Sequence, residues 1–394
     1  MNTTVTPDPR MARLERRSLL VGAGALVLCA LGYFLNSEQF FRSYLLGYLF
    51  WVGIALGSFA LIMLHHLAGG GWGFTIQRIL ESSMRTIPVL ALLAVPLLFG
   101  LSDLYLWARP DVVAADEVLL HKSAYLNVPF FVIRTVVYFL IWAALGYFLS
   151  RWSLEQDRSG DPSARKRMEG LSGPGLILMG LTITFSSVDW VMSLEPHWFS
   201  TMYGFLFMVG DVLATLAFSI CMVSIVARRA PLSRIADAGR FHDLGNLLLA
   251  FVMLWAYISF SQFLIIWSGN LKEEIPWYLH RTGPGWIVIA LALIVLHFAL
   301  PFILLLSRRT KRGVSTLVSV AAFLLLMRWV DLYWLVAPNF HQHELYLHWM
   351  DLAAPVGIGG IWLAVFLGLW SKVPLLPMND PRLVKLIEET GGHE

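Results

Sequence analysis

Arg134 stands inside a long apolar stretch, residues 121–142, which reads HKSAYLNVPFFVIRTVVYFLIW. A guanidinium within a bilayer costs roughly 2.5–3.5 kcal/mol on insertion scales unless an anion or water compensates for its lost hydration. Two other apolar stretches carry Asp189 and Asp103 at depths similar to that of Arg134. Asp189, on the next and antiparallel stretch, is the predicted partner of Arg134, and Asp103 is the alternative. The three residues predict a buried ion-pair layer, or the lining of a polar pocket, in the outer third of a membrane domain.

A second group of ionisable residues occurs in and beside the later apolar stretches. It comprises His242, Asp243, Asp211, His297, Arg328 and Asp331. Histidine titrates near neutral pH, with an unperturbed pKa of about 6.5, and ionisable groups inside a membrane tend to mark proton or substrate routes. Taken in that order, from the cytoplasmic side outwards, the group predicts a stepwise proton route.

Packing alternatives for this second group stay open. Arg328 and Asp331 lie three residues apart, share a helix face and could be an ion pair that fixes the rotation of the helix. Asp211 and His297 could each form a hydrogen bond that only holds neighbouring helices together. The sequence pattern does not favour haem b, because only His297 among the histidines falls well inside an apolar stretch.

The composition places these residues in a polytopic helical membrane protein. Hydrophobic residues make up 57% of the 394 residues and charged residues only 14%, whereas a soluble domain carries about 25% charged residues. The net charge of +3 gives no indication of nucleic-acid binding. Cys29 and Cys221 are far apart, and no C-x-x-C pattern occurs, so the chain has no sequence signature for its own iron–sulfur cluster or c-type haem.

Ten stretches approach the 20 or so apolar residues that a transmembrane helix needs. They run approximately over residues 18–35, 43–67, 86–107, 127–150, 173–194, 199–227, 243–268, 284–307, 314–337 and 352–371. Arg16 and Arg17 precede the first stretch, but no cleavage site follows, so we expect an uncleaved first helix. The domains predicted are a cytoplasmic segment 1–17, one membrane domain 18–371 and a cytoplasmic tail 372–394.

The cationic residues alternate between the two sides of these stretches. One side holds 22 of the 29 Lys and Arg residues, the other side holds five, and two lie within the membrane. Because cytoplasmic loops are enriched in Lys and Arg, both termini are predicted to be cytoplasmic, in a multi-pass protein of the cytoplasmic membrane.

The outer loops combine histidines, charges and aromatic residues in a pattern that favours a docking surface. The residues expected there are His121, Lys122, Glu195, His197, His280 and Arg281. For any single aromatic residue the alternative is the aromatic belt that lines both membrane interfaces.

Three stretches carry a resemblance to a known family. They are residues 121–142, FSSVDWVMSLEPHWFSTMYG at 185–204, and HDLGNLLLAFVMLWAYISFSQFLIIWSGNLKEEIPWYLHRTGPGW at 242–286. They resemble the NrfD or polysulfide-reductase membrane-subunit (PsrC-like) family, and most of all the smaller NrfD-like subunit, the ActF type, of bacterial alternative complex III.

The resemblance implies a fold and a function that composition alone does not reach. The fold would be two four-helix bundles, at about 43–194 and 199–337, plus two peripheral helices. The chain would be a subunit of a quinol:cytochrome c oxidoreductase, contributing to proton movement, to assembly or to a pocket for menaquinone or ubiquinone. Haem and iron–sulfur centres would lie in partner subunits: c-type cytochromes, an iron–sulfur protein and a larger NrfD-like subunit.

Two other functions are weighed against this interpretation. A purely structural membrane anchor of the same complex would need the buried charges only for packing. A stand-alone secondary transporter often has helices broken near mid-membrane, whereas the Gly-Pro pairs 173–174 and 283–284 are predicted here at helix ends.

The charge alternation predicts that the loops around residues 115 and 165 lie on opposite faces of the membrane. Single cysteines introduced as Ala115→Cys and Arg165→Cys should therefore react with a membrane-impermeant thiol reagent from opposite sides of intact cells or inverted vesicles. Labelling of both positions from one side would contradict this topology.

Overall fold

In a computed structural model, which describes residues 9–342 and 344–391, every regular element is a helix. Nine of the helices in these ranges are long and apolar enough to cross a membrane, or ten spans if one bent pair is counted as a single span. The prediction of an all-helical polytopic membrane protein is confirmed. The first eight residues of the predicted N-terminal segment and the last three of the predicted tail lie outside the described residues.

Twelve helices are named here in chain order. They are α1 Pro9–Leu35, α2 Ser37–Ala68, α3 Gly71–Met84, α4 Ile87–Phe99, α5 Val128–Ser159, α6 Pro162–Trp190, α7 Tyr203–Val226, α8 Ala238–Gly269, α9 Trp286–Leu306, α10 Val314–Val336, α11 Trp349–Trp370 and α12 Pro381–Gly391. Short helical turns, such as Leu101–Leu104 and Pro276–His280, occupy the longer connections.

Polar caps and glycines set the ends of the helix that carries Arg134. The side chain of Asn127 accepts a hydrogen bond from the backbone N–H of Phe130 at 2.9 Å, so α5 begins at Val128. The helix ends at Gly160, whose φ of 67° is readily adopted only by glycine. This 32-residue helix is longer than a bilayer requires, so its last turns extend beyond the apolar layer.

The third predicted span differs from the structure. The prediction was one helix over 86–107, but α3 and α4 form a pair bent by 43° at Arg85 and Thr86, and α4 ends at Phe99. Pro88 lacks an N–H group, so it cannot bond to the carbonyl of Met84 and continue one helix through this point. The buried α3 falls between the second and third predicted stretches, because its charged and polar residues lower its hydropathy.

The predicted start of the fifth span is also wrong. Gly173 and Pro174 were expected at a helix end, whereas Pro174 lies inside α6. The helix begins at Pro162 because Asp161 accepts a hydrogen bond from the backbone N–H of Ser163 at 2.8 Å, and proline is favoured in a first turn. Gly283 and Pro284 do precede α9, as predicted.

Two helices, α2 and α7, lie at the centre of the helix packing. In their most apolar windows 83% and 89% of the residues are buried, whereas the corresponding value for α1 is 17%. Helix α2 packs against α6, α7 and α11, and α7 packs against α6, α8 and α10. A polar side chain on α2 or α7 is therefore shielded from lipid.

Helices α1 and α11 pack closely along each other. A Cβ atom added to Gly22 would lie 2.7 Å from the backbone of Gly360, and one added to Gly360 would lie 2.4 Å from the Cα of Gly22. Small residues that allow such backbone approach are the usual basis of tight helix pairs in membranes.

Candidate functional site

The first cluster of buried charges joins α5 to α6. The guanidinium of Arg134 donates two hydrogen bonds to the carboxylate of Asp189, from Nε to Oδ2 at 2.8 Å and from Nη2 to Oδ1 at 2.9 Å. Asp189 is completely buried and Arg134 is 8% exposed. The consecutive antiparallel helices thus place the two charges at the same depth.

Two tyrosines make further contacts with this first cluster. Tyr138, one helical turn after Arg134, donates its hydroxyl to Asp189 Oδ2 at 2.7 Å. Arg134 Nη1 donates to the carbonyl of Tyr125 at 2.9 Å, and the guanidinium lies 3.8 Å from the centre of the Tyr125 ring. One cation balances one anion here, and Asp189 accepts three hydrogen bonds from protein groups. The buried hydroxyl of Tyr125, whose ring lies on Arg134, has no hydrogen-bond partner among the described residues.

Asp103, the alternative carboxylate, is not among the partners of Arg134. It lies half-buried on the short helix Leu101–Leu104, and its charge acts on Arg42 at the outer end of α2. The end of α4 at Phe99 explains the difference, because Asp103 then belongs to the connection beyond the helix.

The second cluster is built around Arg328 of α10. Its Nη1 atom donates to Asp331 Oδ2 at 2.5 Å on the same helix, and its Nη2 atom donates to Asp211 Oδ1 at 3.0 Å on α7. The side chains of Arg328, Asp331 and Asp211 are 1%, 3% and 6% exposed. The sequence spacing predicted the contact within α10, and the structure adds the contact with α7.

Two more helices reach this second cluster through aromatic contacts. The indole N–H of Trp255, on α8, donates to Asp331 Oδ2 at 3.2 Å. The ring of His297, on α9, stacks on Trp255 with the centroids 4.2 Å apart and the planes inclined by 23°. His297 is fully buried, and neither ring nitrogen has a hydrogen-bond partner among the described residues. It lies in a π-helical segment, Leu293–Ala299, an irregularity that often occurs at functional sites.

The two clusters differ in their charge balance. The second has two carboxylates for a single guanidinium, so its formal charge is −1 when both acids are ionised and zero when one acid holds a proton. An uncompensated charge in a dry interior is costly, and a buried group generally takes up or releases a proton instead. The second cluster is therefore suited to bind one exchangeable proton, whereas the first cluster is not.

Glycines allow the backbones to approach this second cluster. A Cβ atom added to Gly210 on α7 would lie 2.2 Å from Arg328 Nη1, and one added to Gly53 on α2 would lie 2.5 Å from Asp211 Oδ1. A larger residue at Gly210 or Gly53 would therefore occupy the space that the side chains of Arg328 and Asp211 now fill.

The proposed cytoplasmic start of the proton route lies far from this cluster. Asp243 pairs with Arg240 at 3.3 Å, and His242 lies 3.3 Å from the side-chain nitrogen of Asn246. Asp243 precedes Trp255 by twelve residues on α8, which corresponds to roughly 18 Å at 1.5 Å per residue. The structure does not bring His242 and Asp243 into contact with the other members of their predicted group.

The residues expected on the outer face divide into exposed and buried sets. His121 and His197 are exposed, and His197 Nε2 lies 2.7 Å from Asp116 Oδ2. Hydrogen bonds from the backbone N–H of Leu119 and from His197 lower the pKa of Asp116. The half-buried Lys122 donates to the carbonyl of Pro196 at 2.6 Å. These residues leave a polar, accessible surface on the connections before α5 and after α6.

Arg281, by contrast, is completely buried and offers no surface for docking. Its guanidinium lies 3.7 Å from the centre of the Trp277 ring, donates to the carbonyl of Leu335 at 2.9 Å and lies 3.6 Å from Glu195. Glu195 is also 2.8 Å from His280 Nδ1. Burial lowers the pKa of Arg281 to about 10, which leaves the side chain charged at neutral pH. This group fastens the outer connections to one another.

A third buried charge cluster was missed in the sequence. Arg78 on α3 pairs with Glu81 at 2.6 Å and with Asp157 on α5, and it donates to the hydroxyl of Ser153 at 2.9 Å. The spacing of three residues between Arg78 and Glu81 could have indicated one helix face. It was overlooked because Arg78 and Glu81 fall between two predicted membrane stretches, where no helix was expected.

The aromatic donors to both clusters were also missed. Tyr138 follows Arg134 by four residues, a spacing that places both on one helix face, so this signal was present in the sequence. Trp255 carries no comparable signal, because its partner Asp331 lies on a different helix 76 residues away.

No group of three or more His, Cys, Asp or Glu side chains in the described part of the chain is arranged to hold a metal ion. Neither the protein-family models nor the curated proteins include a match to this chain.

The geometry of the first cluster predicts that Asp189→Asn destabilises the protein strongly. The change leaves the Arg134 cation buried without its anion, at a cost of roughly 3–5 kcal/mol. Tyr138→Phe is the matched control, because it removes one hydrogen bond to the same carboxylate and should cost only about 1 kcal/mol. Thermal unfolding of the purified protein in detergent measures both effects. Equal stability of Asp189→Asn and wild type would contradict the pairing.

Proposed function

We propose that this chain is an integral membrane subunit of a quinol:cytochrome c oxidoreductase of the alternative complex III type. In this proposal it binds and passes protons while partner subunits carry the electrons. The observation that carries the proposal is the second cluster, in which the buried Arg328 lies between the two carboxylates of Asp211 and Asp331.

The chemistry of this cluster suits a proton-binding site. Removing water strengthens the repulsion between two neighbouring carboxylates, so one guanidinium balances only one of them. A proton bound to either acid makes the cluster neutral. Its release leaves a net charge of −1, which the binding of another proton neutralises. Ionisable residues within membranes characteristically mark such relays.

In this proposal the helices are grouped as the resemblance implies. The first bundle would contain α2, α4, α5 and α6 around Arg134 and Asp189, and the second would contain α7 to α10 around Arg328. Helices α1 and α11 would be the two peripheral helices. With the bent pair counted as one span, ten spans would place both termini in the cytoplasm.

A proton route through the second bundle would begin at His242 and Asp243. Between these residues and Trp255, helix α8 presents the buried apolar side chains of Leu244, Leu248 and Val252. Apolar residues cannot relay protons, so the proposal requires water to connect the cytoplasmic end of α8 to Asp211. His297 would then receive or release protons beside Trp255.

The electron carriers would be separate subunits. The exposed His121 and His197 would lie on the face that meets the iron–sulfur protein and the c-type cytochromes, and a larger NrfD-like subunit would lie beside this chain in the membrane. Quinol would be oxidised at that larger subunit, because Arg134 and Asp189 use their polar atoms on each other and on neighbouring protein groups.

A structural anchor is the second candidate function. The neutral ion pair between Arg134 and Asp189 favours it, since such a pair fixes two helices without needing a proton. A stand-alone transporter is a weaker candidate, although the position of Pro174 inside α6 removes one argument made against it from the sequence. Purification through a tag on this chain separates these classes: co-isolated haem- and cluster-bearing subunits support a complex, and isolation of the chain alone supports a transporter.

The proton function predicts that Asp211→Asn uncouples proton movement from electron flow. The substitution leaves one guanidinium with one carboxylate, Asp331, so the cluster is neutral without a proton and the complex should assemble. Protons moved per electron, measured with the purified complex in proteoliposomes, should then fall far more than quinol-dependent electron flow.

Asp351→Asn provides the control for this measurement. Asp351 is also a buried aspartate at 4% exposure, but it accepts hydrogen bonds from Ser43 and Gln39 outside the second cluster. Its substitution should leave the proton-to-electron ratio at the wild-type value. A wild-type ratio in a fully assembled Asp211→Asn complex would exclude this proton route and favour the structural anchor.

A further inference from the structure

A cleft of about 640 Å³ opens between the bent pair α3 and α4 on one side and the later turns of α5 on the other. Its size falls within the range of small-molecule sites, about 300–1,000 Å³. Met84, Arg85, Ile87 and Pro88, on the two sides of the bend, line the cleft.

On α5 the lining residues form one continuous stripe. They recur every three or four positions, which keeps them on one face of the helix. They are Ala143, Gly146, Tyr147, Ser150, Arg151, Leu154, Glu155, Arg158 and Ser159. From the first to the last, the stripe extends roughly 24 Å at 1.5 Å per residue, close to the thickness of one leaflet with its headgroups.

The cleft has an excess of positive charge. Arg85, Arg151 and Arg158 line it, and its one acidic residue, Glu155, is already paired with Arg167 at 3.0 Å. Within the described residues, no carboxylate oxygen lies within 4.0 Å of the three guanidinium groups, and Arg151 donates only to the hydroxyl of Tyr147. These cations therefore remain available to an anionic ligand.

Charge and apolar surface are separated along the α5 side of the cleft. Arg151 and Arg158 lie towards the end of α5, which the charge alternation places at the cytoplasmic surface. Ile87 and Ala143 lie deeper in the predicted membrane, on α4 and α5. Between the two ends, the hydroxyl of Ser150 is buried and has no hydrogen-bond partner in the described part of the chain. An amphiphile with an anionic head at the surface and an apolar tail towards the bilayer centre matches this order.

We propose that the cleft binds one anionic phospholipid of the cytoplasmic leaflet. Its phosphate would meet Arg85, Arg151 and Arg158, and one acyl chain would lie between Ile87 and Ala143. The Ser150 hydroxyl is placed to donate to an ester carbonyl at the junction of head and chain. Basic pockets between transmembrane helices on the cytoplasmic side are a recognised setting for acidic lipid headgroups. The inference does not depend on the proton function, because the cleft shares no residue with the second cluster.

The test compares two lipids that differ only in headgroup charge. The delipidated full chain in detergent is titrated with dioleoyl phosphatidylglycerol or with dioleoyl phosphatidylcholine, and native mass spectrometry counts the bound lipids. We expect one tight phosphatidylglycerol site that weakens with rising salt, since salt screens the charges. Each Arg→Gln change should weaken binding about fivefold, so the double variant Arg85→Gln with Arg158→Gln should lose at least tenfold.

Two further variants make the outcome decisive. Arg308→Gln with Arg309→Gln removes two exposed arginines on the same predicted face but outside the cleft, and binding should be unchanged. Ala143→Phe fills the apolar end without altering charge, and it should weaken phosphatidylglycerol binding as well. Equal affinity for both lipids, or equal losses in the cleft pair and the control pair, would overturn the proposal. So would an Arg158→Cys variant that crosslinks to a partner polypeptide in the intact complex while no lipid is retained.

Discussion

The burial of Arg328 is the constraint on which much of this structure depends. A guanidinium without access to water must be compensated by anions held at hydrogen-bond distance, because leaving it unpaired costs several kcal/mol. Asp331 on the same helix and Asp211 on α7 supply those anions. Their contacts are geometrically possible only because Gly210 and Gly53 leave room for the charged side chains. The distances between helices α2, α7 and α10 therefore depend on the contacts of Arg328 and its partner Asp211.

The clusters at Arg134 and Arg328 differ in the number of carboxylates around the arginine, and this number determines whether the cluster can bind a proton. Arg134 has a single carboxylate, Asp189, and the pair is complete without a proton. Arg328 has two carboxylates and so retains one unbalanced charge. A buried carboxylate without a balancing cation favours its protonated form, so a proton can neutralise this charge.

The cluster at Arg78 has the same composition as the one at Arg328, one guanidinium and two acids. It differs in access, because the side chain of Asp157 is 12% exposed, whereas the side chains of Asp211 and Asp331 are at most 6% exposed. A group near the predicted cytoplasmic surface can exchange protons directly with solvent. The deeply buried cluster depends on neighbouring protein groups or internal water for the same exchange.

Sequence reasoning predicted the features that depend on hydropathy and on neighbouring helices. Nine of the ten predicted stretches correspond to single long helices. A stretch of about 20 apolar residues is recognisable in the sequence, and inside a membrane it must be helical so that its backbone N–H and C=O groups bond to each other. The contact between Arg134 and Asp189 followed from the matched depth of consecutive antiparallel helices. The bend at Arg85 was missed because the polar residues of α3 lower its hydropathy, so that α3 was not predicted as a helix. The extension of α6 was missed because Pro174 was expected at a helix end, whereas it lies inside the helix.

Contacts between distant helices could not be predicted in the same way. Arg328 and Asp211 are 117 residues apart, and depth alone does not tell which helices are neighbours or which faces meet. The contacts of the Trp255 indole and of the stacked His297 ring were unpredictable for the same reason. They join different helices, and the residue spacing of one sequence does not show which helices pack together. The candidate site was therefore predicted as a set of residues, and its geometry came from the fold.

The central claim, that Asp211 and Asp331 share one exchangeable proton, is tested most directly by infrared spectroscopy of the purified protein at neutral pH. A protonated carboxyl group has a carbonyl stretch that an ionised carboxylate lacks. The account predicts that subtracting the spectrum of either Asp211→Asn or Asp331→Asn from that of the wild type leaves one such band, because each change leaves a neutral pair with Arg328 and removes one protonated carboxyl group. Difference spectra without this band, for properly folded variants, would contradict the account.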